Sequence, residues 1–512
     1  MTNRSLQSIW ESVFKGSTAF LFLLLSLQPV QSQVAGVDLM GSPIPGITAI
    51  GHHAIGVNPS LLATERPFAS KEVFSSGSDT LSRKQRKLIR KSERSRFFSG
   101  FEGGLVVNTP LLDGTPLLSL VGEGKNWSLE NRRATADQLS QSPTSMEAQM
   151  RWVGWSRHGR RGGWGWTIED RYSASLSPSQ NLASFVMLGQ ASSLFDQVEL
   201  TDGTIVDVDD LTNAQFGQVE NGLRDNGALL ALELMEGSEF AVQHVRSYSA
   251  GFGVKLVNSG PMVVAAGLAG RYYRGSGYYE VNGETKTAFA AFNRGFGAEL
   301  VAPDATLGDA LRPAGFGVAL DASVRVELAN LWFASLAITE MGSMDWQGES
   351  YSLNNPVVSL EGWVNQEGGV LDALNEGLAP SSLFLNASPE RRVVALPSRV
   401  RLNGGIMLAS TTLIGVEFAA PLNQALLRQP TEIGVGCRGR LGPFTAMGGF
   451  RWREGGNLRW PGALILARKE SRAQFGLATD DLLGWLAPER RWGIGWSYTR
   501  TLNPARSLNG GK

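Results

Sequence analysis

From Phe316 to Glu327 the chain alternates without a slip. Phe316, Val318, Leu320, Ala322, Val324 and Val326 are apolar, while Gly317, Ala319, Asp321, Ser323, Arg325 and Glu327 are small or polar. Successive side chains of a strand point to opposite faces, so this run builds a sheet with one oily side and one hydrophilic side. Thr431 to Arg440 repeats the split, with Ile433, Val435 and Cys437 set against Glu432, Gly434, Gly436, Arg438 and Arg440. Further runs begin near Phe97, Met146, Trp164, Glu239, Met262, Thr285, Asn330, Ser398, Thr411, Phe444, Gly462 and Arg491, fourteen candidates in all. Each approaches the roughly 9–11 residues that a tilted strand needs to cross a bilayer. The stretch Gly462 to Leu482 can also divide near Glu470, so 14 and 16 are the even totals open.

One segment, Ala19 to Leu27, is apolar but for Ser26. It follows Arg4 and Lys15 and precedes Val30-Gln31-Ser32, which reads as a signal peptide over residues 1–32 cleaved after Ser32. A spanning helix needs roughly 20 apolar residues, and no later stretch reaches that length. A membrane-embedded mature chain must therefore cross with strands, and only a closed cylinder leaves no unpaired sheet edge in lipid. The expected fold is all-β: a single antiparallel transmembrane β-barrel of about 14 (14–16) strands over residues 97–502, carrying two long helix-containing insertions.

The composition agrees. Mean hydropathy is −0.09 with 18% charged residues, as two-faced strands require. The 47 basic and 47 acidic residues cancel, which disfavours nucleic acid as a partner. Cys437 is the only cysteine, so there is no internal disulfide, and its place in an alternating run makes it an outward packing residue. Asn258-Ser259-Gly260-Pro261 and Leu441-Gly442-Pro443 read as tight turns joining neighbouring antiparallel strands. Aromatics gather at run ends (Trp152, Trp155, Trp164 and Trp166; Tyr272, Tyr273, Tyr278 and Tyr279; Trp485, Trp492, Trp496 and Tyr498), as interfacial girdles would.

Two stretches interrupt the alternation. Residues 173–238 contain a helical candidate, Asn181 to Phe195, and an acidic run with Asp202, Asp207, Asp209 and Asp210; residues 346–396 contain another, Val370 to Leu378. Loops of this length cap, plug or simply decorate a barrel. Five candidate strands separate them, which would place them at opposite ends. Residues 33–96 form an N-terminal periplasmic or plug-like piece ending in a basic linker, Arg83 to Lys91, that is either solvated or a contact for a periplasmic or secretion partner. Residues 503–512 are a polar tail.

Chemistry is sparse. The four histidines are His52, His53, His158 and His244, and no Gly-x-Ser-x-Gly elbow surrounds a serine, so no enzyme activity is expected. His52 and His53 have no acidic or thiol residue close in sequence and read as surface residues; the acidic run lacks calcium-loop spacing. Neither a metal nor a cofactor is expected. Lys255, Asp321, Arg325, Glu327, Glu417, Arg438 and Arg440 fall on the hydrophilic face of their runs and would line the lumen with mixed signs.

Two resemblances follow from short motifs. Arg491-Trp492-Gly493-Ile494-Gly495-Trp496-Ser497-Tyr498 resembles the C-terminal signal read by the outer-membrane barrel assembly machinery, which would make Gly493, Trp496 and Tyr498 its recognition residues. Gly56-Val57-Asn58-Pro59-Ser60-Leu61-Leu62 resembles the Asn-Pro-Ala element of long-chain fatty-acid-transporter-type (FadL-like) barrels. The order of that element, Tyr248 to Lys255, a Gly342 to Trp346 turn and Leu396-Pro397 looks like an uncharacterised Bacteroidota outer-membrane family, a domain of unknown function. The resemblance implies a barrel in outer-membrane lipid, a plug-like element at Asn58, Pro59 and Ser60, and a channel for small or apolar solutes. A non-transporting structural or secretion-associated barrel that anchors a partner is the alternative. No catalytic residue is implied.

Overall fold

In the computed structural model, the described residues are 42–63, 96–108, 128–141, 144–159, 161–259, 261–292, 313–329, 331–358, 384–409, 412–423, 430–454, 458–467, 473–482 and 491–502. The signal peptide, the basic run Arg83 to Lys91, the helical candidate Val370 to Leu378 and the polar tail lie outside them.

The alternating runs form one closed antiparallel barrel of fourteen wall strands. Numbering only the wall, these are β1 (Arg96–Asn108), β2 (Thr144–Gly159), β3 (Gly162–Ser177), β4 (Glu239–Ser259), β5 (Met262–Asn282), β6 (Gly315–Leu328) and β7 (Trp332–Leu353). They continue as β8 (Arg399–Ala409), β9 (Thr412–Pro421), β10 (Glu432–Leu441), β11 (Phe444–Arg453), β12 (Gly462–Ala467), β13 (Ala473–Thr479) and β14 (Arg491–Leu502). Each pairs with its neighbour, and β1 closes on β14 through registers such as Leu105↔Ile494 and Phe97↔Thr501. Among these fourteen described strands no edge remains, which is what lipid demands of a sheet.

Period two sets the faces. On β6, Phe316, Val318, Leu320, Val324 and Leu328 are exposed, while Gly317, Ala319, Asp321 and Arg325 are buried inside. Leu268, Leu336, Leu402, Val416, Val435, Leu464 and Leu477 carry the oily exterior around the wall, and Cys437 lies on it. Exposed leucines and valines arranged this way are a lipid-facing belt. Replacing Leu320, at mid-strand, by arginine should cost about 2–4 kcal/mol of folding free energy in vesicles. The same change at Leu328, exposed at the turn end of the same strand, should cost about 0–1 kcal/mol because the penalty falls toward the interface; equal costs in urea titrations of the two would refute the assigned belt.

Several expectations change. The run near Thr285 is no wall strand: Thr287–Phe292 pairs with the far ends of β5 and β7, above the belt. The Gly462 to Leu482 run is two strands, β12 and β13, so the total stays at fourteen. Only β4 to β7 then separate the insertions, and both lie at the same, long-loop end. Their bounds also shift. β3 runs on to Ser177, and β7 continues to Leu353, where Phe384–Ala395 pairs with it. The Gly342 to Trp346 segment is extended strand rather than a turn.

At the long-loop end, Leu129–Gln141, Gln180–Leu188 and a three-stranded sheet (Ile205–Asp207, Gln197–Leu200, Val219–Leu223) bury a core of their own around Phe185, Val198, Leu229 and Leu234. The Gln180–Leu188 helix starts where the Ser179 hydroxyl accepts the Leu182 N–H, and it stops at Gly189, whose φ of +58° suits a residue without Cβ. It is shorter than the Asn181 to Phe195 expectation, and the Leu129–Gln141 helix had no counterpart in the sequence reading. Asp202, Asp207, Asp209 and Asp210 lie on the surface here; Asp202 accepts the Thr204 N–H in a turn.

Candidate functional site: the stoppered lumen

The inward residues of β5 give the vertical order of the interior. Gly267 lies against Pro59, Ala269 joins an apolar cluster with Ile55, Val57, Leu61 and Leu62, Arg271 enters an ionic layer, and Tyr273 begins an aromatic cluster. The N-terminal piece, expected in part as a linker, thus enters the barrel over residues 42–63 and is buried almost throughout.

Glycine makes this possible. A Cβ on Gly267 would sit 2.2 Å from the Pro59 carbonyl carbon, one on Gly253 2.6 Å from Ala63 N, and one on Gly434 1.9 Å from the Pro43 oxygen. The backbone of the stopper lies directly on these inward glycines, an approach no other residue allows.

Polar contacts fix its course. Asn58 Nδ2 donates to Gly46 O (2.9 Å) and to Ser335 Oγ (3.1 Å), and its Oδ1 accepts from Ser60 Oγ (2.6 Å). Ser60 N donates to Ser323 Oγ at 2.7 Å. Gly46 N donates to Glu417 Oε2 (2.7 Å), and Arg438 Nη1 donates to Thr48 O (2.7 Å). His52 Nε2 and Ser99 Oγ share a hydrogen bond of 2.6 Å, and His53 Nε2 lies 2.8 Å from Glu102 Oε2. The histidine pair, expected at the surface, is therefore buried: the carboxylate missing nearby in sequence arrives from β1.

Above the stopper, Glu340 accepts from Arg171 Nη2 (2.8 Å), Arg271 Nη1 (3.1 Å) and the Tyr273 hydroxyl (3.0 Å), while Arg271 Nε donates to Asp321 Oδ2 (2.9 Å). Across the barrel, Arg399 and Arg453 converge on Glu432, Arg401 on Glu417, and Arg451 and Arg459 on Asp480. Charges this deep persist only when paired. Higher still, Tyr273, Tyr278, Phe289, Met344 and Trp346 form an aromatic cluster; the Trp346 and Tyr278 rings stack at 5.2 Å. Tyr273 and Tyr278 thus point inward and do not belong to a girdle.

Asn58, Pro59, Ser60, Asp321, Glu417 and Arg438 meet at the stopper or in the ionic layer. Lys255 is half-buried near the short-turn end of β4. Arg325 donates to Glu327 (2.7 Å) over the Phe333 ring, also below the ionic layer. Arg440 is exposed at the turn, donating to Gly442 O, and lines no interior. On β14, Gly493 is buried, and half-buried Tyr498 packs its ring 5.0 Å from that of Phe475. Trp496 covers Gly103. His244 stacks on Tyr172 on the outer face, its Nε2 3.9 Å from Asp170.

Glu102, Arg151, Arg171, Arg271, Arg399, Arg401, Arg451 and Arg453 were missed, although most stand at inward positions of alternating runs, and Glu432 was placed on the hydrophilic face without being singled out. Glu340 could not be read that way. It sits at a bulge with φ +56°, where Thr339 and Glu340 are both buried and the parity of β7 resets.

These features define a class: a closed fourteen-stranded barrel with a lipid-facing belt and an interior stoppered by its own N-terminal segment. Solved structures that align with the chain include the P. putida toluene transporter TodX, at 9% identity over 90% of this chain and 97% of that one, with a TM-score of 0.40. The CymD monoaromatic hydrocarbon channel aligns at 9% identity over 91% and 98%, TM-score 0.40. A Pseudomonas aeruginosa FadL homologue does so at 8% over 93% and 100%, TM-score 0.38. Identity and superposition at this level transfer no property, so the fold rests on its own strand pairing. No family model and no curated protein matches the chain, so the uncharacterised family stays an expectation of the motifs.

Proposed function

We propose that this chain is an outer-membrane channel for small, apolar solutes, kept shut by residues 42–63. The observation that carries the reading is the manner in which the stopper is held. Its contacts with the wall are hydrogen bonds to Ser323, Ser335, Glu417 and Arg438 together with two small apolar clusters, one of Ile44 and Ile47 on Phe333 and Leu413, the other on Ala269. Such bonds are worth about 0.5–1.5 kcal/mol each to the serines and about 1.5–3 kcal/mol to the charged Glu417 and Arg438, because water replaces them when the segment leaves. A segment held so can leave, whereas a continuous apolar core cannot. The inward aromatic cluster around Tyr278, Phe289 and Trp346 is packed shut here, 0–1% exposed, and would offer an apolar solute its surface only once its neighbours move. Export by the N-terminal leader and assembly through Gly493, Trp496 and Tyr498 belong to this proposal.

The test is uptake of a hydrophobic fluorescent amine, such as N-phenylnaphthylamine, by cells whose outer membrane carries the protein. Uptake should rise several-fold over cells with an empty vector, and a disulfide engineered between the stopper and the wall should abolish the gain. Uptake equal to the empty vector, with folded barrel present, overturns the channel reading. The compact cap around Phe185 and Leu234 favours a second reading, an anchor for a surface partner. That reading predicts a stoichiometric partner lost when residues 178–238 are replaced by a short turn.

A further inference from the structure

We propose that His52, His53 and Glu102 bind one divalent transition-metal ion of the zinc class, clamping the stopper to the wall. The inference rests on geometry alone and does not depend on what crosses the barrel.

Two donors come from the stopper and one from β1. The bulge at Phe101, φ +57°, resets the alternation of β1 so that Ser99 and Glu102 both face the interior. His52, His53 and Glu102 are 1%, 4% and 0% exposed, and one donor atom from each lies within 4.8 Å of the others. Metal bonds of about 2.0–2.2 Å put tetrahedral donors about 3.4 Å apart, so side-chain rotations of about 1 Å complete the set. A water supplies the fourth position, while Ser99 Oγ stays on His52 Nε2 behind the ring, where it fixes the tautomer and orientation of the imidazole.

Two further observations point to a ligand. His52 keeps a spare ring nitrogen: Nε2 is bonded to Ser99, whereas Nδ1 is buried with no hydrogen-bond partner. An unmade bond of this kind costs roughly 1–3 kcal/mol. The local charge also suits a cation. Glu102 and Glu169 both hold Arg151, at 3.0 and 3.1 Å, leaving one negative charge in excess. When a metal takes Glu102 Oε2, Arg151 stays with Glu169, and Glu102 Oε1 keeps its bond from Thr499 Oγ1 at 3.2 Å. Two imidazoles and one carboxylate select zinc, cobalt, nickel or copper over calcium and magnesium, which prefer all-oxygen shells.

Full-length folded barrel in detergent, stripped with EDTA and dialysed against Co2+ and then Zn2+, should retain one ion per chain. Cobalt should show the visible absorption of a four-coordinate site. His53→Gln and Glu102→Gln should each weaken binding about 100-fold, at or beyond the top of the range for outer-shell changes. His244→Gln, on the outer face, should not alter it. Zinc should slow hydrogen exchange of residues 51–63 in the wild type and in neither ligand variant. Heat-modifiable gel mobility checks that each variant is folded, and Ser99→Ala, which keeps all three donors, guards against misfolding of the others by retaining one ion. Folded wild type that holds no cobalt or zinc, or ligand variants that hold it equally well, would overturn the site.

Discussion

Replacing Gly267 by valine is expected to push the Asn58 to Leu62 turn off the wall while the barrel stays closed. The Cβ alone would lie 2.2 Å from the Pro59 carbonyl carbon and 2.3 Å from Ser60 N. Both are backbone atoms, so neither can swing aside as a side-chain tip would. Overpacking costs typically 1–3 kcal/mol, and the upper figure applies where backbone must move. About 3 kcal/mol corresponds to roughly a 150-fold rise in the hydrogen-exchange rate of residues 42–63, since every 1.4 kcal/mol is tenfold. Ion conductance in planar bilayers should rise with it. Gly270→Val is the control, because that glycine has nothing within 4 Å of its would-be Cβ. If Gly267→Val leaves the exchange of the stopper unchanged, the segment is not seated on glycine as described.

Glu340→Ala should be the most destabilising single change in the ionic layer. It strips the shared acceptor from Arg171, Arg271 and Tyr273, with the Arg271 side chain buried and that of Arg171 only 11% exposed. Breaking a buried pair costs about 3–5 kcal/mol when the partner is left bare; Arg271 keeps Asp321 and Arg171 keeps Glu147, so the lower figure, about 3 kcal/mol, is expected. Glu340→Gln keeps the shape and one acceptor oxygen and should fall between. Glu327→Ala, where the partner is only Arg325 and the carboxylate is a quarter exposed, should cost about 1 kcal/mol or less. Urea unfolding from vesicles ranks the three, and a Glu340→Ala midpoint matching that of Glu327→Ala would remove the ionic layer from the account of stability.

The wall was legible because its physics is local. Whether Leu320 or Asp321 meets lipid depends only on parity along one strand, and parity is written in the sequence. The errors lie where a strand leaves the belt or breaks step. Thr287–Phe292 alternates like a wall strand but pairs above the belt. At Glu340 and Phe101 one extra residue turns the count over. The stopper was half legible: the Asn-Pro element marked the place, yet His52 and His53 looked solitary because Glu102 stands 49 positions on.

By itself, then, the sequence determined a cylinder of two-faced strands, since alternation and the want of a long apolar helix leave a membrane chain no other way to satisfy its backbone. Only the tertiary structure decided what fills that cylinder. Glycines that read as mere absence of side chain became the floor under Pro43 and Pro59, and acids and arginines far apart in sequence became pairs, because ring closure, not chain proximity, sets which inward faces meet.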